Sequence, residues 1–180
     1  MGDIRQKRLA KLLVNYSTSV KKGDWVGILG DMNSMPILRD IYEAVIDAGG
    51  NPTLIMNDAY MSRYFLRNAS EEQIEWIDPT MKHYIEEADV YIRVGSPENT
   101  RAMTSISGKR MQQLRAAQSK ILTTRLERAA RDEFRWVGTL FPSEANAQEA
   151  NMSLEEYEDF VYGACFCDKD DPEAEWRNLS

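Results

Sequence analysis

A hydrolytic metal centre needs several His, Asp, Glu or Cys ligands around an open coordination position. This 180-residue chain contains one histidine, His83, and no H-E-x-x-H pattern. A Ser-His or Cys-His mechanism would depend on the same His83, whose context Met81-Lys82-His83-Tyr84 offers no nucleophile elbow. His83 therefore reads as a helix-face or packing histidine. Cys165 and Cys167 stand one residue apart, a spacing that suits neither a C-x-x-C pair nor a zinc knuckle and is too tight for an ordinary disulfide. They read as two reduced, mostly buried thiols. Asp168-Lys169-Asp170-Asp171-Pro172 begins like a calcium loop but lacks glycine at the sixth position and glutamate at the twelfth, which makes it a polar turn before a short helix containing Trp176. The remaining candidate is Asn99-Thr100-Arg101, where a guanidinium beside short hydrogen-bonding side chains could grip a carboxylate at a substrate-binding rim. The same residues also suit a helix cap with a surface ion pair.

Hydrophobic periodicity supplies the elements that would position these residues. Leu9, Leu12, Leu13, Tyr16 and Val20 form a helical stripe ending at Lys21-Lys22-Gly23, with Lys7, Arg8 and Lys11 as its solvated face. Trp25 to Leu29 is a short apolar run that suits a strand buried on both faces. A second helix starts near Pro36, carries Leu38, Ile41, Tyr42, Val45 and Ala48 on one face, and closes at Gly49-Gly50-Asn51-Pro52 before a strand at about Thr53 to Met56. Ser70 with Gln73 forms a capping box, and a short helix follows Asp78-Pro79 to Ala88. Val90 to Val94 is the third strand. A long helix from about Gly108 to Arg131 is expected to turn Met111, Leu114, Ile121, Leu122 and Leu126 inward. Trp136 to Phe141 is the fourth strand, and a second capping box at Ser153 opens a helix with Leu154, Tyr157, Val161 and Ala164 on one side.

This order predicts an α/β fold: a mostly parallel sheet of about four strands with helices on both faces, plus a helical C-terminal extension. Residues 1–145 form the α/β part and 146–180 the extension. Such a sheet takes ligands beyond the carboxyl ends of its strands, at Gly30-Asp31-Met32-Asn33, Asn57-Asp58, residues 95–101 and Pro142-Ser143-Glu144. None carries a complete phosphate motif: Gly27 and Gly30 lack a third glycine at dinucleotide spacing, and no G-x-x-x-x-G-K-[ST] occurs.

Composition narrows the class further. Hydrophobic residues at 43% and charged residues at 28% are ordinary for a globular domain, and no apolar run approaches the roughly 20 residues of a membrane span. The charged, interrupted N-terminus does not read as a signal peptide, so the expected location is the cytoplasm. A net charge of −7, with acidic residues dispersed, disfavours nucleic acid and anionic lipid as partners.

Certain segments carry a family resemblance. Leu9-Ala10-Lys11-Leu12-Leu13-Val14, Lys22-Gly23-Asp24, Ala48-Gly49-Gly50-Asn51-Pro52, Glu98-Asn99-Thr100-Arg101 and Leu126-Glu127-Arg128 are similar to the N-terminal domain of the aminopeptidase T family of metallopeptidases. The tail is the most specific part. Trp136-Val137, Phe141-Pro142-Ser143, Ala147-Gln148, Asn151-Met152-Ser153, Glu155 to Phe160, Asp171-Pro172 and Trp176 follow that family's order. Two departures are visible, since the family usually has Tyr-Pro-Thr at Phe141-Pro142-Ser143 and glycine at Asn151. The resemblance implies a dimeric cytoplasmic exopeptidase that removes N-terminal amino acids from peptides with two divalent metals, cobalt, zinc or magnesium. It places their ligands in a C-terminal catalytic domain, so no catalytic or metal-binding residue transfers to this chain, and no cofactor is expected within it. The expected role is substrate access and assembly beside that catalytic domain or a separate catalytic subunit. Two other readings remain: a stand-alone interaction or regulatory domain, and a small-ligand binder with a closed pocket near Asn33, Asn57, Asn99 and Arg101.

Overall fold

The computed structural model describes residues 3–179; Met1, Gly2 and Ser180, at the outer limits of the two expected segments, lie outside it. Four strands, β1 (Trp25–Asp31), β2 (Asn51–Asn57), β3 (Val90–Gly95) and β4 (Arg135–Leu140), form one sheet in the order β2-β1-β3-β4. All three pairings are parallel. This is the predicted fold class. Pro52, which cannot donate a ladder hydrogen bond, is tolerated because β2 lies at the sheet edge.

One face is closed by α1 (Ile4–Lys11) and α2 (Met35–Asp47). Val26, Ile28, Val90 and Ile92 from the central strands meet Leu9, Leu13, Ile37, Ile41 and Val45 there, all buried. Tyr42 is 43% exposed, so the second helix instead turns Ile37 and Ala44 inward. Its end is a Schellman motif. Gly49 takes φ 85 while its N–H donates to the Ile46 carbonyl, and Gly50 N–H reaches Val45.

The first helix stops earlier than its stripe predicts. A π-helical turn, Leu12–Ser17, follows α1, and Thr18 ends it: its N–H and its hydroxyl both donate to the Leu13 carbonyl, at 3.1 and 2.8 Å. Ser19 then turns left-handed at φ 46, which puts Val20 outside the helix although it still packs on the core.

The opposite face is built differently. The chain between β2 and β3 forms α3 (Ala59–Asn68), α4 (Glu71–Glu75) and α5 (Pro79–Glu87), of which only the last two are anticipated by capping signals. Asp58 caps the unanticipated α3 through the Met61 N–H at 2.7 Å. Tyr84, Ile85, Tyr91 and Phe134 are buried against the sheet here. The long helix α6 (Gly108–Ala130) keeps part of its expected inward stripe: Met111, Leu114 and Ile121 are half-buried, Ile121 against the core of this face, whereas Leu122 and Leu126 are 47% and 50% exposed. It rests on α4 and α5 and is tied by arginines at both ends. Arg110 donates to the carbonyls of Leu66 and Ala69, and Arg128 to those of Ile85 and Ala88 at 2.8 Å each. Hydrogen bonds to the carbonyl ends of neighbouring helices add to the apolar contact that Ile121 makes.

The tail comprises α7 (Glu144–Glu149), α8 (Leu154–Ala164) and α9 (Pro172–Leu179). Both anticipated capping boxes form, at Ser70 and Ser153. Ala164 is exposed; Tyr157, Val161 and Tyr162 make the inner side of α8. Asn151 sits at φ 55, a left-handed position that explains how asparagine substitutes for the glycine of the family pattern. Tyr162 and Cys167 enter the same core as α1 and α2. Arg8 is part of this junction rather than of a solvated face: it pairs with Asp170, while Arg5 pairs with Asp159 at 2.5 Å.

Gly27 and Gly30 serve packing. A Cβ on Gly27 would lie 2.0 Å from the Tyr84 hydroxyl, and one on Gly30 would lie 2.5 Å from Ser34 Oγ. Tyr84 is itself held by its hydrogen bond to the Val90 carbonyl and cannot withdraw freely. Gly27→Ala is therefore expected to destabilise the fold by about 1–3 kcal/mol, read as a lower urea midpoint with an unchanged slope.

Candidate functional site

The carboxyl ends of β1, β2 and β3 converge on Asp31. One carboxylate oxygen accepts the Ser96 N–H at 2.8 Å and the other the Asn57 amide at 2.9 Å. Asn57 in turn accepts from the Ser62 hydroxyl at 3.1 Å, and Ser34 Oγ donates to the Asp31 carbonyl at 2.6 Å. Above them is a crevice of about 200 Å³ bordered by Asn33, Asn57, Arg93, Ser96, Asn99 and Met103. The Ser96 hydroxyl is buried and has no hydrogen-bond partner among the described residues.

The structure brings Asn33, Asn57 and Asn99 together at this crevice but directs Arg101 elsewhere. Asn99 Oδ1 accepts the Arg101 N–H at 2.8 Å, which shapes the turn. Thr100 Oγ1 donates to Glu149 at 2.9 Å, and Arg101 Nε lies 3.3 Å from the same carboxylate oxygen. These residues line a separate open groove of about 700 Å³ between the loop and α7, together with Glu98 and Gln148. Two carboxylates beside one guanidinium favour a cationic group in that groove. Glu149 and Arg93 were missed from sequence. The signal for Arg93 was a charge inside an otherwise apolar strand; nothing local marks Glu149.

Other reactive side chains are inert here. His83 is exposed on α5, its ring tilted against Trp25 at 5.8 Å. Cys165 and Cys167 are free thiols, and burial raises both pKa values, Cys167 to about 12, with Cys165 and Asp168 adding to the effect. Neither is a thiolate nucleophile at neutral pH. Among the described residues, no group of three or more His, Cys, Asp or Glu side chains could hold a metal ion.

Residues 3–180 match the thermophilic metalloprotease family, M29. The chain belongs to that family. No curated protein matches it. Among solved structures, the M29 chain is similar to wild-type AmpT from Thermus thermophilus at 18% identity and a TM-score of 0.72, over 89% of this chain. That likeness establishes a shared fold. The M29 chain spans 42% of the AmpT chain. No helix among the described residues is long and apolar enough to cross a membrane.

Two outcomes follow from this geometry. Asp31→Ala leaves the Ser96 N–H and the Asn57 amide without their acceptor, and a loss of about 1–3 kcal/mol is expected in chemical denaturation. The second concerns Cys167. Its folded pKa exceeds the ordinary value of 9.0, so the folded state holds the proton more tightly. Its contribution is complete below pH 9 and is lost as pH rises towards 12, which a melting series across that window would show as a falling midpoint. Cys167→Ser should flatten that part of the profile.

Proposed function

We propose that this chain is the covering part of a metal-dependent aminopeptidase that releases N-terminal amino acids from peptides. Its own role is substrate access and assembly, and the catalytic metals are held by a different part of the enzyme. One observation carries the reading: the family match runs along the whole chain, yet no described cluster of side chains could hold a metal. The residues present do not fit the pair of divalent ions, and no catalytic step is derived through them. In this reading 1–145 is the α/β domain and 146–180 the helical connector towards the catalytic domain or subunit. Cobalt, zinc or magnesium, a homo-oligomeric state and a cytoplasmic location follow from the family resemblance.

Two surface features support it. Tyr60, Met61 and Tyr64 on α3 are 64%, 71% and 59% exposed, an apolar surface of the kind that marks contact with another protein. Asn99, Thr100 and Arg101, with Glu98 and Glu149, form a polar groove whose carboxylates suit the ammonium group of a peptide N-terminus. We place that groove on the substrate's route.

The test is peptide cleavage with cobalt, zinc or magnesium added, first with this chain alone and then with a supplied M29 catalytic domain. The expected result is no turnover alone and metal-dependent release of N-terminal residues from the pair. Turnover by the isolated chain would sink the covering role. Binding of the catalytic domain without any change in its activity would favour an interaction domain.

A further inference from the structure

Between α6 and the sheet lies a cleft of about 700 Å³, inside the range of small-molecule sites. Its apolar lining comes from Leu29, Ile55 and Tyr91 of the sheet, Ile85 of α5 and Ile121 of α6. Most of its strand lining comes from the carboxyl halves of β1, β2 and β3, Leu29 to Asp31, Ile55 to Asn57 and Arg93 with Val94, while Tyr91 comes from the amino half of β3. The order β2-β1-β3-β4 reverses direction between β1 and β3. Helix α6 is tied at its ends by Arg110 and Arg128 and reaches the core of this face through Ile121, and the cleft opens beside that contact.

Charge distinguishes the cleft from an ordinary packing gap. Arg93 enters from β3, and Arg115 and Arg125 from α6, where Gln118, Ser119 and Leu122 share the same helix face. The single carboxylate in the lining is Asp31, already engaged by Ser96 and Asn57. None of the three arginines makes an ion pair among the described residues, although the chain carries a net charge of −7. Arg125 is drawn in further, its guanidinium 5.2 Å from the centre of the Trp136 ring and its Nε buried with no hydrogen-bond partner. A buried donor without an acceptor is costly unless something from outside supplies one. Arg93 and Arg125 also both act on Tyr91, opposing the burial that raises its pKa.

We propose that this cleft binds a small amphipathic carboxylate, its apolar body on Leu29, Ile55 and Ile121 and its anionic end against Arg93, Arg115 and Arg125. Two sources share that chemistry: a short fatty acid, and the carboxyl end of an apolar peptide. The proposal is independent of the peptidase reading, because it concerns binding to this chain alone.

Calorimetric titration of the full chain separates the cases, using octanoate against octanol and N-acetyl-leucyl-phenylalanine against its amide. At least one acid is expected to bind about tenfold or more tightly than its uncharged counterpart, and the tighter acid identifies the source. Arg93→Gln and Arg115→Gln, both at exposed positions, should each weaken that acid about tenfold while leaving the melting temperature unchanged. Ser119→Trp, which fills the cleft, should abolish binding. Equal affinity for acid and neutral probe, wild-type affinity in both arginine variants, or no binding of either acid would overturn the proposal.

Discussion

Three parallel strands end side by side at the top of this sheet, and their terminal polar groups must find partners where the ladder stops. The Asp31 carboxylate links all three strand ends. It belongs to β1, accepts the amide that follows β3, and accepts the side-chain amide that closes β2. Because a carboxylate has several lone-pair sites and no donor, one residue can hold two different donors in fixed directions. The crevice, the loop that carries Asn99 to Arg101, and the entrance to α3 all take their positions from this point. At the opposite end of the sheet, Asp24 and Asp89 perform comparable work, the first on Arg135 and the second on the Trp25 N–H, at 2.7 Å each.

The two faces of the sheet are covered on different physical terms. On the α1 and α2 side, branched aliphatic residues interdigitate, and the tail completes that layer with Tyr162 and Cys167. Removal of apolar area from water holds this face, so it is dense. On the other side α5 packs closely while α6 is held by directed hydrogen bonds from arginines to carbonyls. Directed bonds fix the helix at its ends, and between them Ile121 packs on the cluster that contains Tyr84, Ile85 and Tyr91. One side is a continuous core, and the other combines a smaller core with an open cleft beside it.

Much of the architecture was legible in the residues. The apolar runs of β1 and β3, both capping boxes, the Gly49-Gly50 stop and the turn before Trp176 are local signals with a single reading, and each appears where its spacing places it. The failures also have causes. The stripe through Val20 continued past the true helix end because Thr18 and Ser19 terminate by hydrogen bonding and backbone sign, which periodicity does not register. Helix α3 went unread although Tyr60, Met61, Tyr64 and Phe65 recur at helical spacing after the Asp58 cap; that stripe is largely exposed, and Leu66 is the residue the helix buries. In α6 the apolar positions were read correctly as a stripe, but the helix is anchored by its arginines.

For the site, sequence located the strand ends and the Asn99-Thr100-Arg101 loop but not their partners. Glu149 reaches that loop across a separation of 49 residues, and Arg93, Arg115 and Arg125 come from two elements that no local pattern joins. The sequence by itself determined the parallel α/β class, the family and the scarcity of histidine, because these depend on periodicity, motif order and composition. Only the tertiary structure decided that Asp31 gathers three strand ends, and that Arg93, Arg115 and Arg125 line one cleft with no ion pair among the described residues. Pairing of charges and closure of cavities depend on distances between remote segments, and those are set when the chain packs.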